Sequence, residues 1–344
     1  MKHASVVNTI AVAGLALVIL AATGCSGGGN DGANLTLTGT YQRAGIMDIA
    51  QNQSWAALGE AEYSSIGTGT LKYAHSAFGP IEGLSIAYGL SENGTLDETI
   101  TMPGAAGETT NGAVTNDKRV MVVIDDDEDD DLVGLEVGIH LTSENVGPDG
   151  NQFFYMGYRA QAQGAETETY SGIAVFNSDG SGQVIGNNVA QDFTYTRGGQ
   201  GKLTITNLFV GGQGAMTADK TVMALADNNA TDNIVGLQIG IKKSSGMSVS
   251  DLKGTYHLFF LSSWGDGHAD TAVADFDGAG NLTLSDFIHL QTLSGTYTIS
   301  AEGALEIVTT LASWQGAVRE NGKFFAATDT VQPYVSMILG VAQW

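Results

Sequence analysis

Gly112–Leu141 reads GAVTNDKRVMVVIDDDEDDDLVGLEVGIHL, and Gly214–Lys243 reads GAMTADKTVMALADNNATDNIVGLQIGIKK. The two stretches align without a gap and share fourteen of their thirty residues. A looser third copy, GAVRENGKFFAATDTVQPYVSMILGVAQW, runs from Gly316 to Trp344. The Gly-Ala starts lie 102 residues apart both times, and so do Asp125, Asp227 and Asp329. Equal spacing of this kind marks an internal repeat, and the period sets the size of the folding unit.

Each copy holds the same parts in the same order. A Gly-Ala pair opens a short strand, and a turn follows at Asn116-Asp117, Ala218-Asp219 or Asn321-Gly322. An apolar run leads into a connection, and a last strand closes the repeat. Upstream of each copy, apolar and polar residues alternate over short segments rich in Val, Ile, Thr, Tyr and Phe, broken by Gly, Asn and Asp. That period belongs to half-buried strands. The third repeat divides into eight strands, at 254–259, 271–276, 281–286, 295–300, 304–309, 315–319, 323–328 and 335–343. Turns such as Asp277-Gly278-Ala279-Gly280 and Glu302-Gly303 carry the residues that tolerate positive φ, as tight hairpins require.

Eight strands in simple succession form an antiparallel meander, and a meander of that length closes on itself to remove its edges. The predicted fold is all-β: three tandem eight-stranded up-and-down barrels. Two-sheet sandwiches and a six-bladed propeller are the alternatives. The propeller requires self-similarity near fifty residues, which the sequence lacks. The expected organisation is a signal peptide over 1–24, a flexible tether over 25–34, and repeats over 35–144, 145–246 and 247–344.

Composition narrows the function. The net charge is −23, with only 14 Lys and Arg among 344 residues, so a nucleic-acid partner is excluded. Hydrophobic residues make up 43% of the chain, enough for real cores, and 47 glycines against 4 prolines suit many tight turns. At the N-terminus, Met1-Lys2-His3 precedes an apolar run from Ile10 to Ala22. That run has the length of an export signal and is short for a membrane span. Cys25 is the only cysteine, so the chain holds no disulfide and no thiolate metal site.

Ala21-Ala22-Thr23-Gly24-Cys25 resembles the lipobox of bacterial lipoproteins, with Ala22 where Leu is usual. The resemblance implies a diacylglyceryl anchor on Cys25, a membrane partner through that lipid, and an envelope location. Ser26 after the cysteine points to the outer membrane under the enteric sorting scheme. The Phe276-Asp277-Gly278-Ala279-Gly280-Asn281 hairpin and the Gly-Thr-Tyr strand starts at Gly39, Gly254 and Gly295 resemble those of exported bacterial repeat proteins. The same starts resemble the first strand of lipocalin and avidin barrels. That likeness implies a barrel and brings no catalytic residues with it.

In a meander, the 1–2, 3–4, 5–6 and 7–8 connections share one end, and variable loops on a rigid scaffold are where function tends to sit. The 7–8 connection of the first repeat is Asp125, Asp126, Asp127, Glu128, Asp129, Asp130 and Asp131. Seven like charges in a row need solvent or a cation to offset them. Ca²⁺, which takes six to eight oxygens, suits such a loop. The second repeat keeps Asp227 and Asp232 there, so the calcium candidates are these two with the acids of the first run. In the third repeat, Trp264, Asp266, His268, Asp270, Trp314 and Tyr334 fall in connections at the same end. Tryptophan beside Asp and His suits a glycan or another small ligand. No Gly-x-Ser-x-Gly elbow, His-Glu-x-x-His pair or phosphate loop is present. The expectation is therefore a non-catalytic binding, adhesion or scaffold lipoprotein. The alternative is a hydrolase built on Asp266, His268 and Asp270.

Overall fold

The computed structural model describes residues 35–49, 53–76, 79–125, 132–163, 166–186, 189–206, 212–229, 233–263, 268–287, 291–329 and 335–344. Leu35–Trp344 form one unit. The expected signal peptide, the tether and Cys25 lie outside the described residues, as do Asp126, Asp127, Asp129, Asp130, Asp131, Asp232, Trp264, Asp266 and Tyr334.

The strands of the first repeat are β1 (Gly39–Ile49), β2 (Gln53–Tyr63), β3 (Thr68–His75), β4 (Ile81–Leu90), β5 (Thr95–Thr101), β6 (Gly107–Val114), β7 (Val120–Asp125) and β8 (Leu132–His140). The second repeat supplies β9 (Gln152–Gln161), β10 (Thr167–Phe176), β11 (Ser181–Gly186), β12 (Val189–Arg197), β13 (Lys202–Thr206), β14 (Gly212–Met216), β15 (Val222–Asn229) and β16 (Ile234–Lys242). The third supplies β17 (Lys253–Ser262), β18 (His268–Asp277), β19 (Asn281–Phe287), β20 (Gln291–Ile299), β21 (Ala304–Thr309), β22 (Ser313–Val318), β23 (Phe324–Asp329) and β24 (Ser336–Ala342). Each set of eight closes, the first strand pairing antiparallel with the last. Three up-and-down barrels result, and the sandwich and propeller alternatives fall away.

Closure leaves no free edge, and the alternation of side chains sorts each strand into an inward and an outward set. The last strands of each repeat depart from a simple polar exterior. On β7 the inward set includes Met121 and Val123, while Val120, Val122 and Ile124 face out and are also buried. The corresponding outward residues are Val222, Ala224 and Ala226 on β15, and Phe324 and Ala326 on β23. They meet, with the outward faces of the adjacent strands, in one apolar seam that all three barrels share. A strand buried on both faces reads as a continuous apolar run. The recurrence of Gly112–Leu141 thus has two causes: the barrel needs these strands, and the seam needs their outer faces.

Ion pairs tie the barrels together around the turns between the sixth and seventh strands. Arg319 of the third barrel, 1% exposed, places Nη2 2.7 Å from Asp117 of the first and 2.6 Å from Asp219 of the second. Its Nε donates to Thr221 Oγ1 at 2.9 Å, and Arg119 of the first barrel also reaches Asp219 at 2.6 Å. Burial pushes both aspartates up. Hydrogen bonds from Arg319 and Thr115 to Asp117, and from Thr217 and Thr221 to Asp219, with the Arg319 charge, outweigh it and hold both below the usual carboxylate range. Lys202 of the second barrel pairs with Glu60 of the first at 2.6 Å, and Lys243 of the second with Glu302 of the third at 2.6 Å.

Trp344 lies just beyond β24. It packs against the first barrel, with Nε1 donating to Val114 O at 2.7 Å. Gly94, at φ +86°, sits under the indole: a Cβ there would lie 2.6 Å from Trp344 Nε1.

Candidate binding site

The barrels share one backbone plan and differ in what fills it. Equivalent positions follow from the pairing of the first strand with the last. Arg43 sits opposite Gly138, Tyr155 opposite Gly240, and Leu258 opposite Gly340. Likewise Glu98 pairs with Thr110, Ile205 with Gly212, and Ile307 with Trp314. Glu136, Gln238 and Ile338 occupy the third corresponding position, each opposite the first strand of its barrel. The first barrel therefore holds Arg, Glu and Glu where the third holds Leu, Ile and Ile.

The third barrel is filled with apolar side chains. Phe276 packs at 5.0 Å from Tyr297, 5.2 Å from Tyr256 and 5.7 Å from Phe325. Trp314 lies within β22, is 2% exposed, packs on Phe260 and donates from Nε1 to Ser336 Oγ at 2.9 Å. The second barrel is intermediate. Its Phe176 meets Phe153, Phe193 and Tyr195, and Tyr155 donates its hydroxyl hydrogen to Gln238 Oε1. Asp227 is 1% exposed there, and burial first, then Tyr170 and Asp227, push up the Tyr155 hydroxyl.

The first barrel keeps a cavity of about 460 Å³ at the end bearing the 1–2, 3–4, 5–6 and 7–8 connections. That volume lies inside the roughly 300–1,000 Å³ of small-molecule sites. Its walls are apolar: Met47 from β1, Leu84 from β4, Ile100 from β5 and Val123 from β7, with Met102 and Ala105 after β5 at the mouth. Its polar groups are Arg43, Glu108, Thr110, Asp125 and Glu136, with Tyr73 beside them.

The floor is a buried ion cluster. Arg43 is 1% exposed and donates from Nη1 to Glu98 Oε2 at 2.9 Å, while Tyr63 donates its hydroxyl hydrogen to Glu98 Oε1. Arg43 Nε lies 2.6 Å from Glu136 Oε2, but its N–H points away from that oxygen, so the contact is an ion pair without a well-directed hydrogen bond. Neither Glu136 oxygen receives a hydrogen bond of good geometry, although the Tyr73 hydroxyl lies within reach of that carboxylate, and neither does Thr110 Oγ1. Burial alone would lower the Arg43 pKa; Glu136 and Glu98 outweigh it and hold the guanidinium well above its ordinary value. Burial, then the neighbouring carboxylates, push up the hydroxyls of Tyr63 and Tyr73.

The other residues singled out from the sequence are dispersed. Asp125 ends β7 on the cavity wall, while Asp227 lies in the second barrel. His268 opens β18 opposite Ser262, and Asp270 sits opposite Phe260, its Oδ1 accepting from the Thr271 amide at 2.7 Å. Among the described residues, no three His, Cys, Asp or Glu gather in a group that could hold a metal ion. The residues missed were Arg43, Glu98 and Glu136. No motif links them, and the available signal was their inward phase, shared with Tyr41, Leu96 and Gly138.

No family model matches the chain, and no curated protein matches it in sequence. Among solved structures, transferrin binding protein B from Haemophilus parasuis, as a double mutant, covers 88% of this chain and 75% of its own at 10% identity and a TM-score of 0.30. The isotype 1 transferrin binding protein B from serogroup B Neisseria meningitidis covers 89% and 76% at 9% identity and a TM-score of 0.29. A family 43 glycoside hydrolase, YxiA from Bacillus licheniformis, covers 86% and 82% at 7% identity and a TM-score of 0.24. At such scores the overlays say nothing of function. The fold rests on the strand pairing of the chain itself.

Proposed function

We propose that the protein is a non-catalytic binding module of the bacterial envelope, lipid-anchored at Cys25 in the outer membrane, with the cavity of the first barrel as its ligand site. The observation that carries this is the contrast inside one chain: the same backbone encloses a packed apolar core in the third barrel and a lined, open cavity in the first. Close packing is the default for a barrel this size, so a retained cavity with unsatisfied polar atoms on its wall is an expensive feature to keep without a ligand. The floor carboxylates are engaged by Arg43 and Tyr63 instead of being set against a nucleophile, which suits binding over reaction.

A neutral alkyl-diazirine photoprobe tests this on the full chain in lipid nanodiscs. Labelling should map to Met47, Ile100, Met102 and Val123, and Thr110→Trp, which installs the residue found at the matching place in the third barrel, should remove it. Labelling spread over the surface and unchanged in that variant would end the reading. The acids from Asp126 to Asp131 follow Asp125 at the cavity wall, and Ca²⁺ is the cation that we propose they take. Calorimetry with Ca²⁺ that shows no saturable heat, or heat that persists when Asp126, Asp127, Asp129 and Asp130 become Asn, removes that part.

A further inference from the structure

We propose that the ligand of the first barrel is an organic cation: a primary ammonium group carried on an apolar body. The inference rests on reading the cavity as the ligand site, and it adds the chemical class.

The charge inventory of the site is one-sided. Among the described residues Arg43 is the one cation on the cavity wall, and it is already shared between Glu98 and Glu136. One formal negative charge is left over at the floor, and Glu108 and Asp125 add two more nearer the mouth. An anionic ligand would meet a wall of net negative formal charge and a guanidinium already shared between two carboxylates. A cationic ligand would restore neutrality where the dielectric is low and pairing is strongest. The chain's net charge of −23 would also draw cations towards it.

The carboxylate oxygens of Glu136 call for donors, and the Thr110 hydroxyl can accept from the same group. Glu136 is 4% exposed and Thr110 5%, and both open onto the cavity with acceptor oxygens that receive no well-directed hydrogen bond. Buried acceptors left unmatched call for a donor. An ammonium group brings three donors and no acceptor, so it matches these oxygens without adding an unsatisfied atom. A bare metal ion fits less well. Ca²⁺ takes six to eight oxygens, and the described residues gather no group of three metal-binding side chains. The apolar wall of Met47, Leu84, Ile100, Val123 and Met102 fixes the rest of the ligand as hydrocarbon.

Competition against the diazirine photoprobe tests the class, with three ligands of similar shape and different charge: phenethylammonium, 2-phenylethanol and 3-phenylpropionate. The full chain in nanodiscs is used, and the readout is loss of label at Met47 and Ile100. The ammonium ligand should compete at about tenfold lower concentration than the alcohol, the difference expected for a charge-assisted hydrogen bond, and the carboxylate should be the weakest. Glu136→Gln should bring the ammonium and the alcohol to within about threefold of each other. Thr110→Val, which keeps the shape and removes the acceptor, should weaken the ammonium more than the alcohol, because the lost hydrogen bond is charge-assisted only for the ammonium, so the class is tested even if Glu136→Gln fails to fold. Equal competition by ammonium and alcohol in the parent chain, or a preference for the carboxylate, would overturn the ammonium class while leaving the cavity as the site. A photoprobe that never labels the cavity would remove both together.

Discussion

The first and third barrels answer the same structural problem in opposite ways. Both must fill the space inside eight strands. The third does so with Leu258, Ile307, Ile338, Trp314 and four interlocked aromatics, all apolar contact. The first places Arg43, Glu98 and Glu136 at the matching positions and leaves a cavity above them. Burying three ionisable groups is costly, and mutual pairing returns only part of that cost. The comparison teaches that stability sets the third interior, while the first has accepted a less favourable floor and an open mouth. The second barrel, with Tyr155 on Gln238 and the buried Asp227, stands between them.

Breaking the floor should give the largest effect. Arg43→Leu leaves two carboxylates without their shared cation and should destabilise the chain by ~3–5 kcal/mol. The triple change Arg43→Leu, Glu98→Ile, Glu136→Ile rebuilds the third barrel's floor in the first. It should recover most of that loss, because a well-packed apolar set matches or exceeds a buried ion cluster. The first thermal unfolding transition, followed by circular dichroism, checks both. A triple variant as unstable as the single one would mean that the floor is held by something other than its charges. The reverse experiment is Trp314→Thr, which opens a hollow in the third barrel. It should cost ~3–5 kcal/mol, the range for removing a buried aromatic. A cost well below that would show that the third barrel can collapse around the gap.

The outcome of that contrast explains which features the sequence made legible. Strand count, meander order and the 102-residue period follow from Gly and Asx turns and from alternation, which are local signals. Which strands are buried on both faces is a relation between barrels, so the apolar runs at Val120–Ile124 and Val222–Ala226 announce burial without saying against what. The candidate site was harder still. Trp314 looked like a loop aromatic because only its neighbours across the barrel, Phe260 and Ser336, show it to be core. Arg43, Glu98 and Glu136 come from strands far apart in the chain, and no short motif unites them. The acid run stood out because it is contiguous, and Asp125, its one described residue, lies on the cavity wall.

The glycines of the last strands sharpen the comparison at smaller scale. Gly138, Gly240 and Gly340 each lie beneath an inward side chain from the preceding strand: Met121, Met223 and Phe325. A Cβ at Gly340 would stand 2.0 Å from Phe325 Cε1, and one at Gly138 would stand 2.4 Å from Met121 Cγ. Phenylalanine is rigid and wedged among Tyr256 and Phe276, whereas methionine is unbranched and adapts more readily. Gly340→Ala should therefore cost ~1–3 kcal/mol by overpacking, and Gly138→Ala about half as much. Equal melting shifts would show that the first barrel is as tightly filled at this level as the third.

A modest effect should come from the seam, at the first residue of the turn between the sixth and seventh strands. Thr115 and Thr217 stand where the third repeat has Arg319, so Arg319→Thr gives the three turns the same first residue. The change removes the cation that Asp117 and Asp219 share, and it should cost ~1–2 kcal/mol at neutral pH, since both aspartates keep some contact with water and their threonine hydrogen bonds. The pH dependence distinguishes this from a simple packing loss. Both aspartates are held below the usual carboxylate range in the folded chain, so they stay ionised to lower pH there than in the unfolded chain. Their contribution is complete above the ordinary Asp pKa of about 3.9 and declines as the pH falls from there through the folded values. In the variant the depression should shrink, because Arg319 supplies much of it. The melting temperatures of parent and variant should then differ most at pH 6–7 and converge in acid. A gap of constant size from pH 7 to pH 3 would show that Arg319 holds the seam by packing and that its charge adds nothing.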